Sequence, residues 1–342
     1  MSEAQQQAAL EALLASPAIE LRPGAAALLL EGRLSVEQAF QAGLLRGLDP
    51  TTCAAWAQPT PPPLPPAQEM AGAQTMAGGA VRVDPEEARA FAEAIGAQGD
   101  WGAGPDAVAH PMLHARLLYP LLRAMMRDPR LGPVPLGAAN GRVLHGQHDA
   151  RFFSALRPGD RLSARGELDP PRVGPRATVL SARLWLRKAG LPVVEARSTF
   201  LLPQVTGPPR PGLVLPPLRP PDAERELHIA EDQALRYARA SLDDNPIHVD
   251  DSAARAAGHP GTILHGLCTL GLAGEQVLAE LSGGDPRTLS RLAGRFRRPV
   301  RPGQSLHLRL WRSALGARFD LRDEDERLVL DEGIVELQRK IR

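Results

Sequence analysis

A chain of 342 residues, 43% hydrophobic and 23% charged, has the length of about two ordinary domains and the composition of a globular protein. Its net charge of +1 excludes the large basic excess that nucleic-acid and membrane-surface proteins need. No stretch approaches the roughly 18 uninterrupted apolar residues of a membrane span, the opening MSEAQQQAAL lacks the pattern of a secretory signal, and Cys53 and Cys268 form no disulfide framework, so the expectation is a cytoplasmic protein with free thiols.

Residues 1–57 are Ala/Leu-rich and read as a short helical N-terminal extension, with Ser35 as an N-cap before VEQAFQAGLL. A Pro/Ala/Gly-rich linker follows over 58–80, opened by QPTPPPLPPA, and a second over 205–221 contains TGPPRPGLVLPPLRPP. Such tracts fit neither a helix nor a sheet interior. They leave two longer segments, 81–204 and 222–342.

These two segments repeat one another. DPEEARAFAEAIG (84–96) aligns with AEDQALRYARASL (230–242), which sets Phe91 opposite Tyr237. RFFSALRPGDRL (151–162) aligns with RFRRPVRPGQSL (295–306), and the two offsets, 146 and 144, nearly agree. Each repeat opens with a short helix. An apolar helix follows, MLHARLLYPLLRAMMRD in the first and ILHGLCTLGLAGEQVLAEL in the second. Strand-like runs come last: TVLSARLWLRKAG and PVVEARSTFLL in the first repeat, RFDLR and LVLDEGIVEL in the second, where Leu306, Leu308 and Leu310 also alternate with polar residues. One helix followed by antiparallel strands is an α+β pattern in which the sheet can wrap the helix.

The chemistry concentrates in YARASLDDNPIHVDDSAARAAGHPGTILHG (237–266). Asp243 and His248 stand five residues apart with the turn signal Asn245-Pro246 between them, so a carboxylate and an imidazole can converge on one water. Gly266 stands where the apolar helix begins; backbone N–H groups there suit an oxyanion, and a glycine admits a bulky group close to the backbone. Cys268, on the apolar face, reads as a core thiol. The pairs His110/His114 and His145/His148 have spacings that could hold a metal, but without a third ligand they read as core or solvated histidines.

The series Asp243, Asn245-Pro246, His248, His265-Gly266 and the later RPG segment resembles the MaoC-like, (R)-specific enoyl-CoA hydratase family. GRVLHGQHDARFFSALRPGDRL (141–162) resembles the partner half of that family's double-hotdog members. The resemblance implies a double hotdog, two tandem units each with a central helix wrapped by an antiparallel sheet. The unit 81–204 is then non-catalytic and 222–342 catalytic. It implies reversible hydration of a trans-2-enoyl thioester to the (R)-3-hydroxyacyl thioester. Asp243 and His248 take the acid/base work and the Gly266 N–H the oxyanion, with Asn245, Ser241 and His265 in support. The substrate carrier is CoA or acyl carrier protein, no metal or other cofactor is needed, and a homodimer stays open. Arg295, Arg297, Arg298 and Arg301 are candidate contacts to a CoA phosphate, or simply solvated edge-strand arginines.

Two departures from the family pattern stand out. Leu242 occupies a position where members often carry glycine. The first repeat has AIGAQGDWGAGPDAVAHP where the second carries the motif, so one site per chain is expected, with the first repeat shaping an acyl tunnel. The competing readings are an acyl-thioester-binding hotdog protein without lyase activity, a hydratase for short branched or dicarboxylic acyl-CoA, and a hotdog thioesterase, whose chemistry does not call for the Asp–Asn-Pro–His pattern. The geometry of Asp243, His248 and Gly266 discriminates binding from lyase activity.

Overall fold

The computed structural model describes residues 20–21, 45–46, 74–97, 101, 106–127, 143–173, 177–203 and 219–338. Two compact units divide the chain: Met1–Met70 with Pro208–Pro220, and Ala71–Gly207 with Pro221–Arg342. Of the first, the described part is an antiparallel pair of two-residue strands, β1 (Glu20–Leu21) and β2 (Leu45–Arg46), with Arg219 and Pro220. The helical reading around Ser35 and most of the second linker lie outside the described residues.

In the larger unit the first repeat runs β3 (Gln74–Arg82), α1 (Pro85–Ala94), α2 (Leu113–Met126), β4 (Leu144–Phe152), β5 (Arg161–Leu168), β6 (Arg172–Val173), β7 (Ala177–Lys188) and β8 (Leu191–Pro203). The second runs β9 (Ala223–His228), α3 (Gln233–Ser241), a 3-10 turn Pro246–His248, α4 (Asp251–Ala256), α5 (Gly266–Ser282), a 3-10 turn Pro286–Thr288, β10 (Leu289–Phe296), β11 (Ser305–Ser313), β12 (Gly316–Arg322) and β13 (Leu328–Leu337).

All strands from β3 onward form one sheet in the order β3-β5-β7-β8-β4-β10-β13-β12-β11-β9, with β6 added against β7. Read outward from the β4–β10 seam, the two sides have the same connectivity, so the duplication inferred from sequence is the symmetry of the sheet. The seam is antiparallel, with Ala293 opposite Asp149 and Arg291 opposite Arg151. Arg291 crosses it with two bonds to Asp149, Nε–Oδ1 3.0 Å and Nη2–Oδ2 2.8 Å, a fork geometry that also fixes register.

Helix α2 lies on β3, β5 and β7, and α5 on β9, β10, β12 and β13, so each repeat wraps its own helix. The apolar stripes fill the concave faces: Leu113, Leu117, Leu118, Leu121 and Met125 from α2, and Cys268, Leu270, Ala273, Val277 and Leu278 from α5. Leu306, Leu308 and Leu310 point into this core, as their alternation requires. No helix among the described residues is long and apolar enough to cross a membrane.

One boundary needs correction. Residues 74–80, at the end of the stretch read as linker, belong to edge strand β3. Its glycines hide the strand pattern but serve it. A Cβ at Gly78 would stand 2.9 Å from Ala164 Cβ and 3.0 Å from Leu121 Cδ2. Gly79, at φ +74°, sits at the bulge where the register with β5 shifts.

Candidate active site

Helix α3 ends at Ser241, and the chain reverses through Leu242, whose φ of 67° and ψ of 5° are left-handed. That turn directs Asp243 back toward the helix: its N–H donates to Ser241 Oγ at 3.2 Å. The Asn245 N–H then donates to Asp243 Oδ1 at 3.4 Å. Asn245 also starts the 3-10 turn that carries His248, its side-chain oxygen accepting from the Ile247 N–H at 3.5 Å and its carbonyl from the His248 N–H at 2.9 Å. Pro246 occupies the first position of that turn, where a missing N–H costs nothing.

His248 is buried, and its Nδ1–H donates to the Ile263 carbonyl at 2.8 Å. A carbonyl can only accept, so this bond fixes the tautomer and leaves Nε2 with its lone pair. Burial lowers the His248 pKa, opposed by the Asp243 charge and the Ile263 carbonyl. The ring is therefore a neutral base at ordinary pH.

His265, the residue before α5, donates Nε2–H to the Asp243 carbonyl at 2.9 Å, an anchor for the loop. Its ring stacks on His248 with centroids 3.7 Å apart. One ring nitrogen from each histidine and one Asp243 carboxylate oxygen all lie within 4.8 Å of one another. A single water hydrogen-bonded at ordinary lengths of about 2.8 Å to each side spans such a gap. Gly266 follows as the first residue of α5, where backbone N–H groups lack intrahelical acceptors. A Cβ there would come within 3.2 Å of the Phe296 ring.

The first repeat also reaches this loop. Tyr119 Oη donates to Asp243 Oδ1 at 2.9 Å, Arg116 Nη1 to the Ala240 carbonyl at 2.7 Å, and Arg123 Nη1 lies 3.3 Å from Asp244 Oδ1. Sequence reasoning missed Tyr119, since nothing local marks a partner 124 residues away. The first repeat, expected to shape a tunnel, thus also bonds the Asp243 carboxylate. Leu117 and Leu118, on the other side of the same helix, are buried in the core, 7% and 2% exposed.

The corresponding place in the first repeat is filled. By the repeat, His114 answers to His265 and Ala115 to Gly266. The Ala115 N–H already donates to the Met112 carbonyl at 2.9 Å. His114 Nδ1–H donates to the Pro111 carbonyl at 2.8 Å, its Nε2 meets His148 Nε2 at 3.0 Å, and His148 Nδ1 meets Ser198 Oγ at 2.9 Å. Burial brings His114 down to about 4. His110 bonds Glu275 at 2.7 Å. His145 packs between Phe200 and Phe296, brought down to about 4 by burial against the opposing Asp243 charge.

Cys268 is fully buried, and burial pushes its thiol up to about 12, far from a reactive thiolate. Among the four arginines, Arg297 is tied to Asp331 (2.7 Å) and Arg295 to Glu332 (3.2 Å). Arg298 donates to the Leu328 carbonyl at 3.1 Å, and both Arg298 and Arg301 are exposed.

Residues 214–333 match the family described as MaoC like domain. The chain is 37% identical over 210 residues to the 3-hydroxyacyl-thioester dehydratase Y of Mycobacterium tuberculosis, covering 57% of this chain and 72% of that protein. It is 33% identical over 189 residues to the peroxisomal multifunctional enzyme type 2 of Drosophila melanogaster, covering 53% of this chain and 31% of that longer protein. Among solved structures, a MaoC-like dehydratase from Phytophthora capsici superposes with a TM-score of 0.65 at 21% identity, over 79% of this chain and 96% of the other. That likeness shows the fold.

Proposed function

The chain belongs to the MaoC-like dehydratase family, and from that membership we propose that it interconverts a trans-2-enoyl thioester and its (R)-3-hydroxyacyl thioester by adding or removing one water. The observation that carries this is the cluster of Asp243, His248 and His265 side-chain atoms within 4.8 Å of one another, with His265 immediately before the first residue of α5.

In the hydration direction, His248 Nε2 takes a proton from a water whose other hydrogen is held by the Asp243 carboxylate. The water oxygen bonds to C3 as the C2–C3 π electrons move toward the thioester. The oxygen of the resulting enolate accepts from the Gly266 N–H at the positive end of α5. Collapse of the enolate takes up a proton at C2, returned through the dyad, so the sum is enoyl thioester plus water. The reverse removes the C2 proton and expels the C3 hydroxyl as water. Proton transfer both ways needs a base that is neutral at working pH, as burial keeps His248.

Every element of the site can be completed within one chain, because the tandem repeats supply the pairing that single hotdogs obtain by dimerising. On this reading the first repeat carries no second dyad, and its wall facing the site sets acyl preference. Exposed Arg298 and Arg301 are the candidates for a CoA phosphate; Arg295 and Arg297 are already paired with carboxylates. A cytoplasmic location is part of the proposal, consistent with the free, buried Cys268.

The deciding experiment follows the conjugated enoyl absorbance of purified protein with enoyl-CoAs of increasing length, each paired with its pantetheine thioester. Loss of absorbance to the (R)-3-hydroxy product supports hydration, and a lower KM for CoA than for pantetheine supports the arginine assignment. Tight thioester binding with no turnover would favour the binding-protein reading instead.

A further inference from the structure

We infer that the non-catalytic repeat holds the reaction geometry as well as its wall: Tyr119 of α2 is a positioning residue that orients the Asp243 carboxylate. The inference rests on the proposed role of Asp243.

Arg116, Tyr119 and Arg123 are spaced three and four residues apart, which places them on one stripe of α2. All three reach the same five-residue segment of the other repeat, the last turn of α3 and the chain just after it, at the Ala240 carbonyl, the Asp243 carboxylate and the Asp244 carboxylate. The opposite face of α2 is fixed in the core through Leu117, Leu118, Leu121 and Met125, so the stripe is a rigid edge. Arg116 is itself held by Glu87 of α1.

The consequence for Asp243 follows from counting lone pairs. Tyr119 Oη and the Asn245 N–H both donate to Oδ1. With that oxygen doubly occupied, Oδ2 is the one left to face a water. A carboxylate held only by the 3.4 Å backbone bond from Asn245 could rotate about its terminal torsion, which is broad and soft. The tyrosine removes that freedom from outside the loop. Burial and the Asp243 charge hold the Tyr119 hydroxyl well above its ordinary range, so it stays protonated and donating throughout the working pH range. The bond to Asp243 comes from the hydroxyl, so Tyr119→Phe removes it while keeping the ring.

The test is a double-mutant cycle in the full chain with Tyr119→Phe, Asp243→Asn and the double variant, assayed on a short and a long enoyl-CoA. Tyr119→Phe is expected to lower kcat about tenfold with KM within about twofold, equally on both lengths, since misorientation of one catalytic group costs turnover rather than binding. The double variant should be no worse than Asp243→Asn alone, because the hydroxyl acts through the carboxylate. Wild-type kcat in Tyr119→Phe beside an inactive Asp243→Asn overturns the inference and leaves the proposed reaction standing. So does a fully additive double variant, or a loss that grows with acyl length and marks Tyr119 as tunnel wall. Wild-type activity in Asp243→Asn sinks both.

Discussion

Phe91 and Tyr237, equivalent residues of the two repeats, meet each other in the folded chain with ring centroids 5.6 Å apart. The local symmetry axis of the tandem repeat therefore passes between α1 and α3, and one aromatic pair closes the halves together at that end. Both rings are fully buried. Phe91→Ala should destabilise the fold by about 3–5 kcal/mol, the usual range for truncating a buried Phe. Tyr237→Phe should be close to neutral, because Tyr237 Oη is buried with no hydrogen-bond partner among the described residues. Denaturant unfolding of the two variants checks this; a larger loss from the tyrosine than from the phenylalanine would contradict it.

For the dyad, Asp243→Asn and His248→Ala should each lower hydration turnover by at least about a hundredfold, the scale of a lost positioned acid or base. Circular dichroism should be unchanged. Near-wild-type turnover in either variant removes that residue from the mechanism.

Gly266→Ala tests the helix start. The added Cβ would meet the Phe296 ring at 3.2 Å, so the ring or the helix end must give way. We expect kcat to fall about tenfold or more, since oxyanion donors tolerate little displacement. Gly266→Ala combined with Phe296→Leu should recover part of the loss. No recovery would mean the glycine is needed for substrate approach rather than for clearance from Phe296.

Leu242 pays for its left-handed backbone. Glycine adopts φ 67° without the Cβ clash, and Leu242 is 40% exposed, so little packing is lost. Leu242→Gly should therefore stabilise the protein by roughly 0.5–1 kcal/mol, opposite in sign to a Leu→Gly change inside a helix. A lower thermal midpoint would show that the leucine side chain contributes more than its backbone costs.

Acid should destabilise the protein before most carboxylates titrate. His114, His148, His248 and His265 all have pKa values lowered by burial, so the unfolded chain binds protons that the folded chain refuses. Their contribution is complete above the unfolded value of 6.5 and is lost as pH falls from there; for His114 the loss continues to about 4. His114 alone withdraws on the order of 3 kcal/mol across that window. Asp331 and Glu195, raised by burial, oppose the trend in smaller number. The thermal midpoint at constant ionic strength should drop steadily between about pH 7 and pH 4.5. A flat midpoint would mean that these histidines are solvated.

Much of this protein was legible in one dimension because its determinants are local or repeated. The helix-then-strands order written twice, with offsets of 146 and 144, is a statement about a duplicated sheet. Asp243, Asn245, Pro246 and His248 sit within six residues, so their own turn chemistry brings the carboxylate and the imidazole together. Strand β3 was obscured because Gly78 and Gly79 serve a close approach and a bulge, and glycine carries no alternating pattern to read.

What only the tertiary structure decided is how the two halves share the site. The bond from Tyr119 to Asp243 spans 124 positions, and a single tyrosine on a helix has no sequence signature for a partner on another repeat. The filled counterpart site is equally a matter of packing. His114 retains the family-like position, but the Met112 carbonyl takes the Ala115 N–H and His148 takes the ring. Residue types name the chemistry a segment could perform. The burial of His248, its tautomer and the orientation of the Asp243 carboxylate depend on groups that meet only when the chain folds.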